Sequence, residues 1–153
     1  EFFLRIGGRG KDFRKLKLLA KEYGVADRVK LHGYVPREEV NREMQLANLF
    51  VLPSRFEAFG VVIIEAMATG CPVISTHSGG PPHIIKETDG LLVKPEDVDE
   101  LANAMESIYL DYDKYDPEQI RKDVVENYAT SVIRDSYHQL IREILDGKNP
   151  AKK

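Results

Sequence analysis

The chain has 153 residues, of which 42% are hydrophobic and 31% are charged, and this is the profile of one globular domain that can bury its own core. Its net charge is −3, so no overall basic excess points to nucleic acid or to an anionic membrane. No apolar run approaches the ~18 residues of a membrane-spanning helix, and the one cysteine, Cys71, cannot form an internal disulfide; both observations fit a cytoplasmic location.

Short apolar runs of the β type alternate with helical patterns along the whole chain. Strands are predicted over residues 2–6, 29–32, 49–52, 73–75 and 91–93. Helices are predicted from residue 13 to Gly24, over 37–46, over 61–69, after a cap at Asp97, near 117–127 and over 131–145. Residues 147–153 are predicted to form a frayed tail, which leaves residues 1–146 as the domain.

This alternation predicts an α/β fold, in which a Rossmann-like parallel sheet is covered by helices on both faces. Ligands bind such sheets beyond the carboxyl ends of the strands. The loops after Ile6, His32, Leu52 and Ser75 are therefore the places where we expect a site.

The most informative stretch is residues 53–68, in which a strand ends, a loop carries Glu57, and Gly60 opens a very apolar helix. The first amides of this helix, near Val61, Val62 and Ile63, have no partners within the helix. Together with the helix dipole they form an anion site, for which phosphate is the commonest occupant. Gly60 has no Cβ, so a ligand can approach the backbone closely.

Glu65 lies one turn into the same helix, and its side chain is expected to lean back toward the anion site. A carboxylate accepts hydrogen bonds from a vicinal diol, as acidic residues do from ribose in dinucleotide folds. Phosphate and ribose together indicate a nucleotide, with Glu57 on the far side of the phosphate. The alternative is that Glu65 is an ordinary surface residue. Its apolar neighbours argue against this, since an acid in a nearly all-apolar helix is costly unless it is paired or functional.

Residues 53–75, PSRFEAFGVVIIEAMATGCPVIS, resemble the signature of the group 1 glycosyltransferases, which are retaining enzymes of the GT-B fold. That signature is a Pro-Ser, two glutamates separated by seven residues, and then Ala-Met-Ala-x-Gly-x-Pro-Val. Further pieces that fit the family are Gly8-Arg9-Gly10, residues 28–35, Gly79-Gly80 and residues 90–93. Their order and spacing make the resemblance specific, and it extends over most of the chain.

The resemblance implies the C-terminal half of a GT-B fold, which binds a nucleotide-diphosphate sugar such as a UDP- or GDP-sugar and needs no metal or other cofactor. Glu57 would be the catalytic residue, contacting hydroxyls of the donor sugar, and Glu65 would bind the ribose diol. The other implied binding residues are Gly8, Gly33, Tyr34 and Val35 around the base, and Ser54, Phe59, Gly60, Val61 and Val62 around the phosphate and sugar. Transfer to an unknown acceptor would retain the anomeric configuration.

The sequence departs from the family pattern in two places. His83 stands where the family often has a glutamate. A first strand, followed by an arginine and a lysine that usually neutralise the donor diphosphate, has no counterpart. Because the chain also begins without a methionine and inside an apolar run, we expect a fragment of a longer protein.

Three expectations follow if a first strand and the rest of a longer protein are absent from this chain. Another segment should fill the place of the absent strand, because unpaired strand edges drive association. The acceptor-binding N-terminal domain is the missing partner, and the resemblance allows peripheral membrane association through it, with no role for nucleic acid. The chain alone should bind a nucleoside diphosphate weakly and should not transfer sugar.

Other chemical motifs are interpreted as ordinary structure. Asp111-Tyr112-Asp113 resembles a metal-binding D-x-D motif, but it lies in an acidic turn far from any predicted strand end, and the histidines lack the spacing of metal ligands. Cys71 is interpreted as a small packed residue. Two other functions stay open: a non-catalytic nucleotide-binding module, and a sugar-nucleotide epimerase of related fold, against which the Ala-Met-Ala-x-Gly-x-Pro-Val run argues.

Overall fold

A computed structural model of the chain describes residues 2–147. The strands are β1 (Leu4–Gly7), β2 (Val29–Gly33), β3 (Phe50–Leu52), β4 (Val73–Thr76) and β5 (Gly90–Val93). The helices are α1 (Phe13–Glu22), α2 (Arg37–Gln45), α3 (Val61–Ala68), α4 (Val98–Leu110), α5 (Pro117–Tyr128) and α6 (Thr130–Leu145). Every predicted strand and helix is present. The part of the predicted tail from residue 148 onward lies outside the described residues. Within residues 2–147, no helix combines the length and the apolar composition that crossing a bilayer requires.

The chain divides into two compact units, Glu1–Glu43 and Met44–Lys153, which we call the first and the second unit. In the first unit, β1 and β2 pair in parallel and α1 packs against β2. Phe13 and Leu16 of α1 line one cavity together with Leu31 of β2. Arg5 Nη1 lies 3.0 Å from Glu43 Oε2, which ties β1 to the end of the unit. None of residues 2–43 is fully buried, so the core of this unit is thin.

In the second unit, β3, β4 and β5 form a parallel sheet with β4 at its centre. All four residues of β4 are buried, and α4 covers the sheet through a cluster of Ile74, Val93, Ala104 and Ile108. α3 packs against β3, β4 and α5. The predicted cap of α4 is confirmed, since Asp97 Oδ1 accepts the Glu100 N–H at 2.9 Å.

The predicted α/β class, with parallel strands flanked by helices, is confirmed. The strands are divided between two sheets, however, whereas the alternating pattern predicted one. Among the described residues, β1 pairs with β2 and β3 pairs with β4, and no strand belongs to both sheets. Strand pairing depends on backbone groups that come from distant parts of a chain, which a local pattern does not specify. That another segment fills the place of an absent strand stays a prediction.

Asp89, just before β5, is a fully buried carboxyl group in the second unit. It accepts hydrogen bonds at 3.3 Å from the Lys86 backbone N–H and from the Thr88 hydroxyl. Burial raises the pKa of Asp89, and the charge of the nearby Asp123 carboxylate raises it further, although the hydrogen bonds partly oppose both effects. An acid whose folded-state pKa is raised destabilises the fold at any pH above that pKa, because the fold must then hold the disfavoured charge.

Asp89→Asn is therefore expected to raise the melting temperature at neutral pH, by about 2–4 °C for each kcal/mol gained in a chain of this size. The asparagine carbonyl still accepts from the Lys86 N–H, while the buried charge is removed. The gain should shrink as the pH falls through the raised pKa of Asp89 toward its ordinary value of 3.8. Thermal unfolding of both proteins across this pH range tests the prediction, and a variant that melts lower at neutral pH contradicts it.

Candidate functional site

The loop that follows β3 is held in place by hydroxyl groups of β4. The Ser75 hydroxyl donates to the Leu52 carbonyl at 3.0 Å, and the Thr76 hydroxyl donates to the Ser54 carbonyl at 2.6 Å. Both donors are buried. Sequence reasoning did not single out Thr76; the available signal was a polar residue that closes the apolar run of a buried strand. Ser54 is thereby fixed at the carboxyl edge of the sheet, where a ligand site was predicted.

The glycine pair after β4 lies directly against the loop that carries Glu57. The Gly80 N–H donates to the Glu57 carbonyl at 2.8 Å. A Cβ added at Gly79 would lie 2.2 Å from the Glu57 carbonyl oxygen, and one added at Gly80 would lie 2.1 Å from the Phe59 carbonyl oxygen. No side chain fits at either position, so the two glycines allow this loop to lie close to the end of β4.

Gly60 opens α3 in the left-handed region, with φ of 101°, which favours glycine over every other residue. The Ile63 N–H donates to the Gly60 carbonyl at 2.9 Å and begins the helical hydrogen bonding. Among residues 2–147, the N–H groups of Val61 and Val62 have no hydrogen-bond acceptor. Two of the three amides predicted to be free, those of Val61 and Val62, are therefore present at the start of the helix, where the helix dipole adds positive potential. The prediction was wrong for Ile63, because the Gly60 carbonyl accepts its N–H.

Glu57 is half-buried beside this helix terminus. Its Oε1 accepts the Phe59 N–H at 3.3 Å, and its Cγ lies 3.6 Å from the position of a Cβ at Gly60. The carboxylate therefore lies close to the first turn of α3. Phe59 itself is 51% exposed, so the loop between the carboxylate and the helix is open to solvent.

Glu65 is exposed on α3, so its apolar neighbours do not impose on it the cost of a buried acid that we expected. The helix buries Ile63, Ala66 and Met67 on its inner side, whereas Val61 and Glu65, four residues apart, are both exposed and share one face. A helical side chain leans toward the amino terminus. Glu65 therefore lies on the same open face as the free Val61 amide, as the nucleotide hypothesis requires.

The remaining predicted residues come together in the first unit, at the carboxyl ends of β1 and β2. The Gly8 N–H donates to the Gly33 carbonyl at 2.6 Å. The Arg9 guanidinium lies 5.2 Å from the centroid of the Tyr34 ring, which is a cation–π contact. A methyl group of Val35 lies 3.2 Å from the position of a Cβ at Gly7. A cavity of about 210 Å³ lies beside these loops, and Gly8 and Arg9 are part of its lining.

The structure supports the interpretation of the other motifs as ordinary structure. Burial raises the pKa of the Cys71 thiol to about 12, so this thiol stays protonated and is no nucleophile. Asp111 binds the Lys114 ammonium at 2.5 Å in an exposed turn after α4. His83 is exposed, and its carbonyl accepts the Tyr128 hydroxyl at 3.4 Å.

Comparison with known proteins identifies the family. A family model described as glycosyl transferases group 1 matches residues 1–130. Over 119 residues the chain is 36% identical to a GDP-mannose-dependent alpha-(1-6)-phosphatidylinositol monomannoside mannosyltransferase of Mycobacterium tuberculosis, an alignment that covers 72% of this chain and 31% of the relative. It is 31% identical over 145 residues to a D-inositol 3-phosphate glycosyltransferase of Corynebacterium jeikeium, covering 90% of this chain and 33% of that protein.

A solved structure agrees with these relatives. The sucrose-phosphate synthase of Thermosynechococcus elongatus superposes with a TM-score of 0.79 at 33% identity, covering 95% of this chain and 39% of that one. The chain spans about a third of the length of the curated relatives it matches. The family match covers most of the chain, including the loop between β3 and α3. This chain belongs to the group 1 glycosyltransferases.

Proposed function

We propose that this chain binds the nucleotide-diphosphate-sugar donor of a retaining, hexosyl-type glycosyltransferase. The observation that carries the proposal is the start of α3, where the N–H groups of Val61 and Val62 are free, Glu57 lies beside the first turn, and Glu65 is exposed one turn further on. In this proposal the donor is the substrate and no metal or other cofactor takes part. The acceptor would be bound outside this chain.

The amides at the start of α3 would hold the phosphate nearest the sugar. A phosphate oxygen needs donors and positive potential, and the first turn of a helix supplies both. Gly60 presents no side chain toward the ligand. Because Glu57 and Glu65 are anionic, neither would bind the phosphate itself, and each would need a hydroxyl donor of the ligand instead.

Glu65 would accept hydrogen bonds from the ribose diol, and Glu57 from hydroxyls of the donor sugar. Glu57 precedes the start of α3 and Glu65 follows it along the chain, so the proposed order is sugar, diphosphate and ribose. Hydrogen bonds to a charged acceptor are shorter and stronger than neutral ones. Glu57 would thus hold the sugar at the reacting end, which is why we assign it the catalytic role.

The loops of the first unit would hold the base. Gly8, Gly33, Tyr34 and Val35 lie together in this unit, and the Tyr34 ring offers a flat surface of the kind on which bases stack. The dependence of the mycobacterial relative on GDP-mannose supports a nucleotide sugar as the class of donor.

The test of the ribose assignment is Glu65→Gln. This change should weaken binding of a nucleoside diphosphate by roughly 1–3 kcal/mol, the range for a hydrogen bond to a charged group. The deoxyribonucleotide should lose a similar amount with the unmutated protein, and the variant should no longer distinguish the two sugars. Isothermal titration of both proteins with both ligands measures this. If variant and unmutated protein discriminate equally, Glu65 does not bind the ribose.

A further inference from the structure

Charge is distributed very unevenly between the two units, although the chain as a whole carries only −3. The first unit has eleven basic and seven acidic residues, a net charge of +4, whereas the second has eleven basic and eighteen acidic residues, a net charge of −7. Within residues 5–21, seven lysines and arginines stand against one acid, Asp12. Such asymmetry is typical of a surface that binds a polyanion.

The basic charge is concentrated on the outer face of α1. Arg14, Lys17, Leu18 and Lys21 have the spacing of one helix face and are all exposed. The opposite face of α1 packs toward β2, where Phe13 and Leu16 line a cavity together with Leu31. The outer face is therefore available for binding without unpacking the helix.

The cations of this face have no acidic partners within the part of the chain that the structure describes. Among residues 2–147, no ion pair involves Arg14, Lys17 or Lys21. The exposed lysines of the second unit differ, because Lys94, Lys114 and Lys122 each lie within 4.0 Å of a carboxylate. On the outer face of α1 these three cations are thus unpaired and exposed to solvent, and Glu22 is the one acid of the helix.

An apolar side chain stands in the middle of these cations. Leu18 is 66% exposed, with Arg14 and Lys21 one turn away on either side. At the end of the helix, Tyr23 is 72% exposed. A helix with cations around an exposed leucine, and with an aromatic residue at its end, has the composition of helices that lie in the headgroup region of a bilayer.

We propose that the outer face of α1 docks on a bilayer that contains anionic phospholipid. Arg14, Lys17 and Lys21 would bind the headgroup phosphates, and Leu18 would enter the boundary between headgroups and acyl chains. An RNA or an acidic protein surface would also attract the cations, but neither gives a reason for an exposed leucine at their centre. This surface belongs to the first unit of the chain itself.

The binding test uses vesicles of phosphatidylcholine with and without phosphatidylserine. The chain should sediment with the mixed vesicles, remain in solution with phosphatidylcholine alone, and be released by salt. Each cation near an anionic surface contributes about fivefold, so the triple variant Arg14→Gln, Lys17→Gln, Lys21→Gln should bind about 100-fold more weakly. The matched control Lys94→Gln, Lys114→Gln, Lys122→Gln loses the same charge from the second unit and should bind like the unmutated protein. Equal loss in both variants overturns the proposal.

A second measurement reports on Leu18 directly. The chain contains no tryptophan, so Leu18→Trp introduces a single tryptophan whose fluorescence can be followed. Leu110→Trp is the control, at a position 71% exposed in the second unit. We expect a blue shift on mixed vesicles for Leu18→Trp only. Binding to an RNA duplex in place of the vesicles, or vesicle binding without this shift, would show that the face is not a site of bilayer insertion.

Discussion

Glu57→Ala is expected to weaken binding of a sugar nucleotide by about 10–100-fold, because it removes a charged hydrogen-bond acceptor from the donor sugar. Binding of the matching nucleoside diphosphate should change by no more than about twofold, since the proposed contacts to phosphate and ribose involve other groups. The difference between the two ligands is the informative quantity. Titration of the chain with a nucleoside diphosphate and with the corresponding sugar nucleotide measures it.

Two further variants distinguish the loss of a contact with the sugar from a change in the structure of the loop. Glu57 also accepts the Phe59 N–H at 3.3 Å, and Glu57→Gln keeps a carbonyl acceptor for that bond. Glu106→Ala removes an exposed acid from α4 and should change neither ligand's affinity. A parallel loss of affinity for both ligands in Glu57→Ala that Glu57→Gln does not share would mean that this residue holds the loop and does not contact the sugar.

Gly80→Ala is expected to lower the free energy of unfolding by about 1–3 kcal/mol or more, the range for overpacking a well-packed site. The added Cβ would lie 2.1 Å from the Phe59 carbonyl oxygen. Because this oxygen belongs to the backbone, the clash can be removed only if the backbone moves. Relief would move the loop between Glu57 and Gly60 away from β4 and break the 2.8 Å bond from the Gly80 N–H to the Glu57 carbonyl. Donor binding should therefore fall together with stability.

Gly10→Ala is the matched control, because a Cβ at Gly10 has nothing within 4 Å. It should change the free energy of unfolding by no more than about 0.5 kcal/mol, as for a surface substitution without a special role. Denaturant unfolding and nucleotide titration of both variants test the prediction. If the two alanine variants are equally stable, the close approach of the glycine pair to the loop is not a constraint on the fold.

Local features of the sequence predicted local structure well. Asp97 caps α4 through the Glu100 amide as expected, because a cap needs only residues three positions apart. Gly60 begins α3 in a conformation that glycine favours. Both predictions depended on short-range backbone geometry, which the identity of one or two residues largely determines.

Features that depend on distant residues were harder to predict. The contact of Gly80 with the loop at Glu57 joins two loops that follow different strands, and only the family resemblance pointed to the glycine pair at all. The exposure of Glu65 was missed because an apolar run does not show which side of a short helix faces solvent. The net charge concealed the basic face of α1, since the acids that balance it lie in the second unit. The division into two sheets likewise depends on pairing between distant strands.

A backbone amide NMR titration tests the central claim, that the start of α3 binds the phosphate of a nucleotide donor. The chain is titrated with a nucleoside diphosphate and, separately, with the nucleoside that lacks phosphate. Because the N–H groups of Val61 and Val62 would donate to a phosphate oxygen, we expect the diphosphate to shift these two resonances, and the nucleoside to leave them unchanged. Diphosphate binding that leaves both resonances in place, or equal shifts with the nucleoside, would contradict a phosphate site at this helix terminus.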